Sequence, residues 1–86
     1  MSDLIRVRVT VLDMWDEVVL DLPVSTTLAA VKRAALAAAR VTDQPAEFVL
    51  KFRGATLRDE ARSLADAGVP ADAGLIALRE RRLAVR

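Results

Sequence analysis

The sequence predicts a two-layer α+β domain in which one helix covers one face of a mixed sheet of four to five strands. Three observations carry that reading. Ile5, Val7, Val9 and Val11 alternate with Arg6, Arg8 and Thr10, the period-two pattern of a half-buried strand. A later stretch, TLAAVKRAALAAARV, consists almost wholly of helix formers. Short β-branched and aromatic runs follow it, so a single helix must serve a whole sheet.

Each element has its own local reason. Asp13 to Asp16 breaks the first run, and Val18, Leu20 and Leu22 then alternate with Glu17, Val19 and Asp21 until Pro23. Two strands so closely joined pair as an antiparallel hairpin. Ser25, Thr26 and Thr27 offer N-caps for the helix. Along it Leu28, Val31, Ala35 and Ala38 or Ala39 form one stripe, with Leu36 at its margin. This gives about four turns with an alanine-rich inner face that can lie close to a sheet. Thr42, Asp43, Gln44 and Pro45 stop it. Phe48 to Phe52 reads as a third strand, Arg53-Gly54-Ala55 as a turn with Gly54 at positive φ, and Thr56-Leu57 as a short return strand. SLADAG forms one helical turn closed by Gly68, with Leu64 and Val69 as buried anchors, and Gly74 opens a last strand, Leu75 to Arg79. That strand most economically inserts beside the first, since both have one apolar face. The outcome is a β-grasp arrangement over residues 5–79, with residues 1–4 as an N-terminal tail and 80–86 as a basic C-terminal tail.

Composition narrows the chemistry. Eighty-six residues fit one domain, which removes about 60–65% of its unfolded surface from water. With no cysteine and no histidine, thiolate nucleophiles, disulfides, the usual Cys/His zinc sites and imidazole acid–base chemistry are excluded. The acidic neighbours Asp16-Glu17 and Asp59-Glu60 stand in polar stretches that look like turns, where solvated acids are expected. The chain is therefore expected to be no enzyme and to need neither cofactor nor metal. Met1 to Arg8 alternates charge with hydrophobe, unlike a signal peptide. The longest apolar run, Ala34 to Ala39, falls far short of the ~20 residues that span a bilayer. A soluble cytoplasmic protein is expected, in keeping with the missing cysteines.

Beyond periodicity, three stretches resemble one family. TLAAVK is similar to the start of the helix in ubiquitin and its relatives, FRGATLRD to their third strand and glycine turn, and SLADAGV to their Ser/Thr-Leu-Ser/Ala-Asp-x-x-Ile/Val turn. The likeness covers almost the whole chain, with one extra residue near Glu60 to Arg62 and a first hairpin about one residue longer. It implies the ubiquitin-like β-grasp fold. It also implies two places where function would reside, a C-terminal diglycine for conjugation or sulfur carriage and an apolar patch on the sheet. No glycine follows Gly74 in the sequence, so a C-terminally reacting modifier or sulfur carrier is disfavoured. The patch positions carry over as Leu12, Lys51 and Leu78, with Ile76 beside them. Lys51 departs from the family's isoleucine and is expected to turn away ordinary ubiquitin readers. In size, fold and missing diglycine the chain resembles the small bacterial ubiquitin-like proteins of the YukD and EsaB type, which implies an association with type VII secretion.

The expected working surface has three parts. The sheet face offers Lys51, Ile76 and Leu78, and the hairpin tip offers Leu12, Met14 and Trp15, an adaptable methionine beside a rigid ring. Tryptophans bury well but also anchor interfaces, so the sequence leaves Trp15 open between packing and contact. The third part is the basic segment Arg79, Arg81, Arg82 and Arg86. Net charge is +1, yet residues 79–86 carry four arginines against one glutamate, while the remainder carries nine basic against eleven acidic residues. Such a cluster is either a solvated terminus or a hook for acidic protein surface or phosphate. No aromatic residue is interleaved with it, so nucleic acid is disfavoured and protein is the expected partner. Exposed Ile76 and Leu78 would equally suit a homodimer.

Overall fold

The computed structural model describes residues 4–12, 15–41 and 45–79. The chain forms β1 (Leu4–Val11), β2 (Asp16–Pro23), α1 (Leu28–Ala38), a 3-10 turn (Pro45–Glu47), β3 (Phe48–Phe52), β4 (Ala55–Leu57) and β5 (Ala73–Arg79). The five strands make one sheet in the order β2-β1-β5-β3-β4. β1 and β5 run parallel and every other pair is antiparallel. The last strand therefore lies at the centre, beside the first, as its apolar alternation predicts.

Several boundaries differ from the sequence expectation for physical reasons. Asp16 already belongs to β2, opposite Val11, because the ladder carries pairing through a polar residue that local preference assigns to the turn. The helix has 11 residues, three turns where about four were expected. It ends where Arg40 adopts φ 61°, with Val41 N–H donating to Leu36 O at 2.9 Å and Arg40 N–H to Ala37 O at 3.1 Å. This 6→1 and 5→2 pair is a Schellman closure, usually made with glycine in the left-handed position. Ala39 is buried while Ala38 is exposed, and Leu36 is fully in the core. The SLADAG stretch closes through the same pair of bonds, Val69 N–H to Leu64 O and Gly68 N–H to Ala65 O, around Gly68 at φ 76°. It is a hydrogen-bonded turn too short to continue as a helix. Between β3 and β4, Arg53 and Gly54 both have positive φ, 54° and 81°, as a two-residue type I′ hairpin requires.

The core lies between α1 and the inner face of the sheet. Val7, Val9 and Val11 of β1, Phe48 and Leu50 of β3, and Ala73, Leu75 and Ala77 of β5 meet Leu28, Val31, Ala35 and Leu36 of α1. Alanines at 35, 39, 73 and 77 let helix and sheet approach closely, while Leu64 and Val69 close one end.

A polar seam fixes the helix start. Thr27 is the N-cap, its side-chain oxygen accepting from Ala30 N–H at 3.2 Å. The N–H groups of Leu28 and Ala29 donate to the carbonyls of Arg62 and Glu60, so the first-turn donors are satisfied by a loop rather than by water. Leu64 and Ala65 donate in turn to Thr26 and Val24. The seam ends on Lys32, only 4% exposed. Its ammonium donates to Phe48 O at 2.9 Å and to both carboxylate oxygens of Glu60 at 2.8 Å, which uses all three of its protons.

Removing one partner of such a pair leaves an uncompensated buried charge. Glu60→Ala is expected to destabilise the fold by about 2–4 kcal/mol, and Lys32→Met, which removes the charge while keeping the volume, by clearly less. Urea denaturation of the two variants checks the order. Equal losses, or a larger loss for Lys32→Met, would contradict it.

Candidate functional site

Strand periodicity that buries one face of the sheet must display the other. With Val7, Val9 and Val11 inside, Arg6, Arg8 and Thr10 face out. With Leu75 and Ala77 inside, Gly74, Ile76 and Leu78 face out, and in β3 the outward residues are Val49 and Lys51. Registration aligns them into rows. Glu17, Thr10, Ile76, Lys51 and Thr56 form one row across all five strands. The next row toward the hairpin end pairs Leu78 with Val49, and Leu12 joins it through its N–H to Ala77 O at 3.0 Å. On the other side of Ile76 lie Val19, Arg8 and Gly74.

The outward face is thus an apolar strip, Leu12, Leu78, Val49 and Ile76, flanked by cations. Ile76 is 41% exposed and Val19 more so, while Leu12, Val49 and Leu78 are half-buried. At the far edge Arg6 pairs with Asp21 at 3.0 Å. This hydrogen bond first, and then the charge of Asp21, raises the Arg6 pKa from its usual value, with Asp72 adding to the effect. Arg8 and Lys51 have no side-chain partner among the described residues. Lys51, expected at the centre of the patch, stands beside Ile76 at the margin of the strip.

Trp15 at the hairpin tip is 80% exposed, so its ring stands clear of the described core. Its N–H donates to Leu12 O at 3.2 Å, and its φ is 52°. A bulky residue in the left-handed region is strained. Arg79 lies elsewhere, with the parity of the inner face. Its guanidinium sits 4.8 Å from the centre of the Phe48 ring and bonds Glu47. The structure therefore gathers Leu12, Lys51, Ile76 and Leu78 on one face, sets Trp15 at its end and separates Arg79 from them. Met14, Arg81, Arg82 and Arg86 lie outside the described residues.

The two acidic pairs do not converge on a common point. Asp16 and Glu17 are consecutive strand residues and so point to opposite sides. Glu60 is engaged by Lys32, while Asp59 accepts from Ala61 N–H. Among the described residues no group of three or more His, Cys, Asp or Glu side chains could hold a metal ion, and no helix is long and apolar enough to cross a membrane. Val49 and Arg8 belong to the face but were not singled out from sequence. Strand parity could have found both, since Phe48 and Leu50 inside require Val49 outside.

No protein-family model matches the sequence, and neither does any curated protein. Solved structures do match in shape. The ubiquitin of Caldiarchaeum subterraneum superimposes with a TM-score of 0.77 at 15% identity, over 93% of this chain and 98% of that one. A ubiquitin-like domain of an Arabidopsis thaliana protein gives 0.75 at 14% identity, over 96% and 84%. The N-terminal ubiquitin-like domain of a third protein gives 0.75 at 20% identity, over 100% and 84%. The fold is the ubiquitin-like β-grasp, α+β, a five-stranded mixed sheet packed against one helix.

Trp15 combines backbone strain with an exposed ring, so glycine should suit its position better. Trp15→Gly is expected to keep the fold and to raise its stability by up to about 1 kcal/mol. Thermal unfolding followed by far-UV circular dichroism checks this. A lowered melting temperature would mean that the ring packs against the domain.

Proposed function

We propose that this chain is a non-enzymatic, ubiquitin-like protein-interaction module that works by contact through the outward face of its sheet. One observation carries the reading. The strip Leu12, Leu78, Val49 and Ile76 runs across the central strands on the face opposite α1, and Arg8 and Lys51 beside it have no partner among the described residues. An apolar strip with unpaired charges at its margin suits a protein surface that carries apolar anchors and acids. Lys51 sets such a partner apart from one selected for a wholly apolar patch, because burying its ammonium needs an opposite charge.

The particular role we infer is that of a cytoplasmic accessory to a bacterial type VII-like secretion system. Its support is the resemblance in fold to the YukD and EsaB type. A contact role also agrees with the position of Gly74 inside β5, where it belongs to the sheet and not to a threading tail.

Affinity capture from the native cell with the wild-type protein and with Leu78→Asp, compared by mass spectrometry, tests the reading. The expected result is a protein partner retained by the wild type and reduced at least about tenfold by the variant, as for a central anchor, with an unchanged far-UV spectrum. Identical captured sets would exclude the sheet face. Covalent attachment of the chain through its C-terminal segment would exclude the contact mechanism.

A further inference from the structure

The hairpin tip and the centre of the sheet carry two halves of one contact. At the tip, the ring of Trp15 stands in solvent on a left-handed backbone. Its neighbours Asp16 and Glu17 are exposed and have no side-chain partner among the described residues. On the sheet face, Gly74 leaves a gap in the central strand, where an added Cβ would meet nothing within 4 Å. Val19 and Arg8 share its row, and Ile76 lies two residues further along β5. Both features disfavour the isolated fold, since a tryptophan occupies a glycine conformation and a glycine occupies a central strand with room for a side chain.

We propose that two copies of this chain pair face to face, with Trp15 of each seated in the Gly74 gap of the other. The inference rests on the sheet face being the working surface. A flat indole fits a side-chain-free stretch of sheet, and Arg8 beside the gap supplies a cation for its ring. The registers make the exchange geometrically consistent. Along β1, Leu12 lies four residues from Arg8, the neighbour of Gly74. At about 3.3 Å per residue and about 4.8 Å between strands, the midpoint between tip and gap falls beside Ile76. A two-fold axis lying in the plane of the face near Ile76 exchanges tip and gap, sets Ile76 against its counterpart, and brings Glu17 of each copy against Arg8 of the other. Such a contact is self-complementary and closes at two copies. It also covers the apolar strip until a partner displaces it.

Trp15 is the only tryptophan and there is no tyrosine, so its emission reports the contact directly. Sedimentation equilibrium and fluorescence are measured together from about 1 µM to about 1 mM, the range in which a single anchor per half gives a measurable pair. The expected result is a shift from monomer to dimer with emission moving to the blue, weakened by added salt. Trp15→Gly, Gly74→Val and Arg8→Glu should each weaken pairing at least about tenfold, and Arg8→Glu combined with Glu17→Arg should restore it. A monomer mass with unchanged emission over the whole range would overturn the proposal, as would a dimer indifferent to Gly74→Val in protein that remains folded. Self-pairing and the proposed function fail separately. A monomeric chain whose partner is lost in Leu78→Asp refutes only the former, whereas a pairing chain with no Leu78-dependent partner refutes only the latter.

Discussion

The arrangement depends on the insertion of β5 between β1 and β3. A central strand is hydrogen-bonded along both edges and alternates its side chains between two faces, and α1 covers one of them. Ala73, Leu75 and Ala77 go under α1, and Gly74, Ile76 and Leu78 are displayed on the other side. The outward apolar strip follows from the topology and from the residues placed at those positions. A sheet covered on one face usually shows polar residues on the other, and Thr10, Lys51 and Arg8 keep to that rule. Ile76 and Leu78 do not.

The helix is held in place by polar contacts as much as by apolar ones. Its first-turn donors end on the loop that precedes β5, and Lys32 joins that loop to the start of β3. The same seam aligns the segment leading into β5 with the segment leading out of β2. Because these bonds lie at one end of the helix and on its inner side, they leave the outward face of the sheet unobstructed. The Arg79–Glu47 pair and the contact of Arg79 with Phe48 secure the other end of β5. Rigidity and display are thus provided by different residues, which allows the outward face to change without disturbing the core.

Much of this was legible in the sequence where one signal dominates. β1 alternates so regularly that its inner and outer residues can be assigned directly, and the aromatic and β-branched content of Phe48 to Phe52 marks β3. The first residue of β2 was not legible, because Asp16 favours a turn and only the ladder with β1 makes it strand. Lys32 was hidden for a related reason. A lysine within a helix formed mainly of alanine and leucine looks like part of the solvated face, and nothing local reveals that Glu60, twenty-eight residues later, returns to meet it. The patch positions were found through family resemblance, while Val49 and Arg8 needed the strand parity that the sheet supplies. No local pattern indicates that Trp15 would take a left-handed backbone, since its neighbours suit either a buried or a displayed ring.

The central claim is that the apolar strip on the sheet faces solvent in the single copy and is therefore open to a partner. Solvent paramagnetic relaxation on the methyl groups of dilute protein, using a neutral soluble agent, tests it most directly. Strong relaxation is expected at Ile76 and Val19, intermediate relaxation at Leu78 and Val49, and protection at Leu50, Leu64 and Leu75. Ile76 and Leu78 as protected as Leu75 at high dilution would show that the chain covers its own sheet and is closed to a partner there.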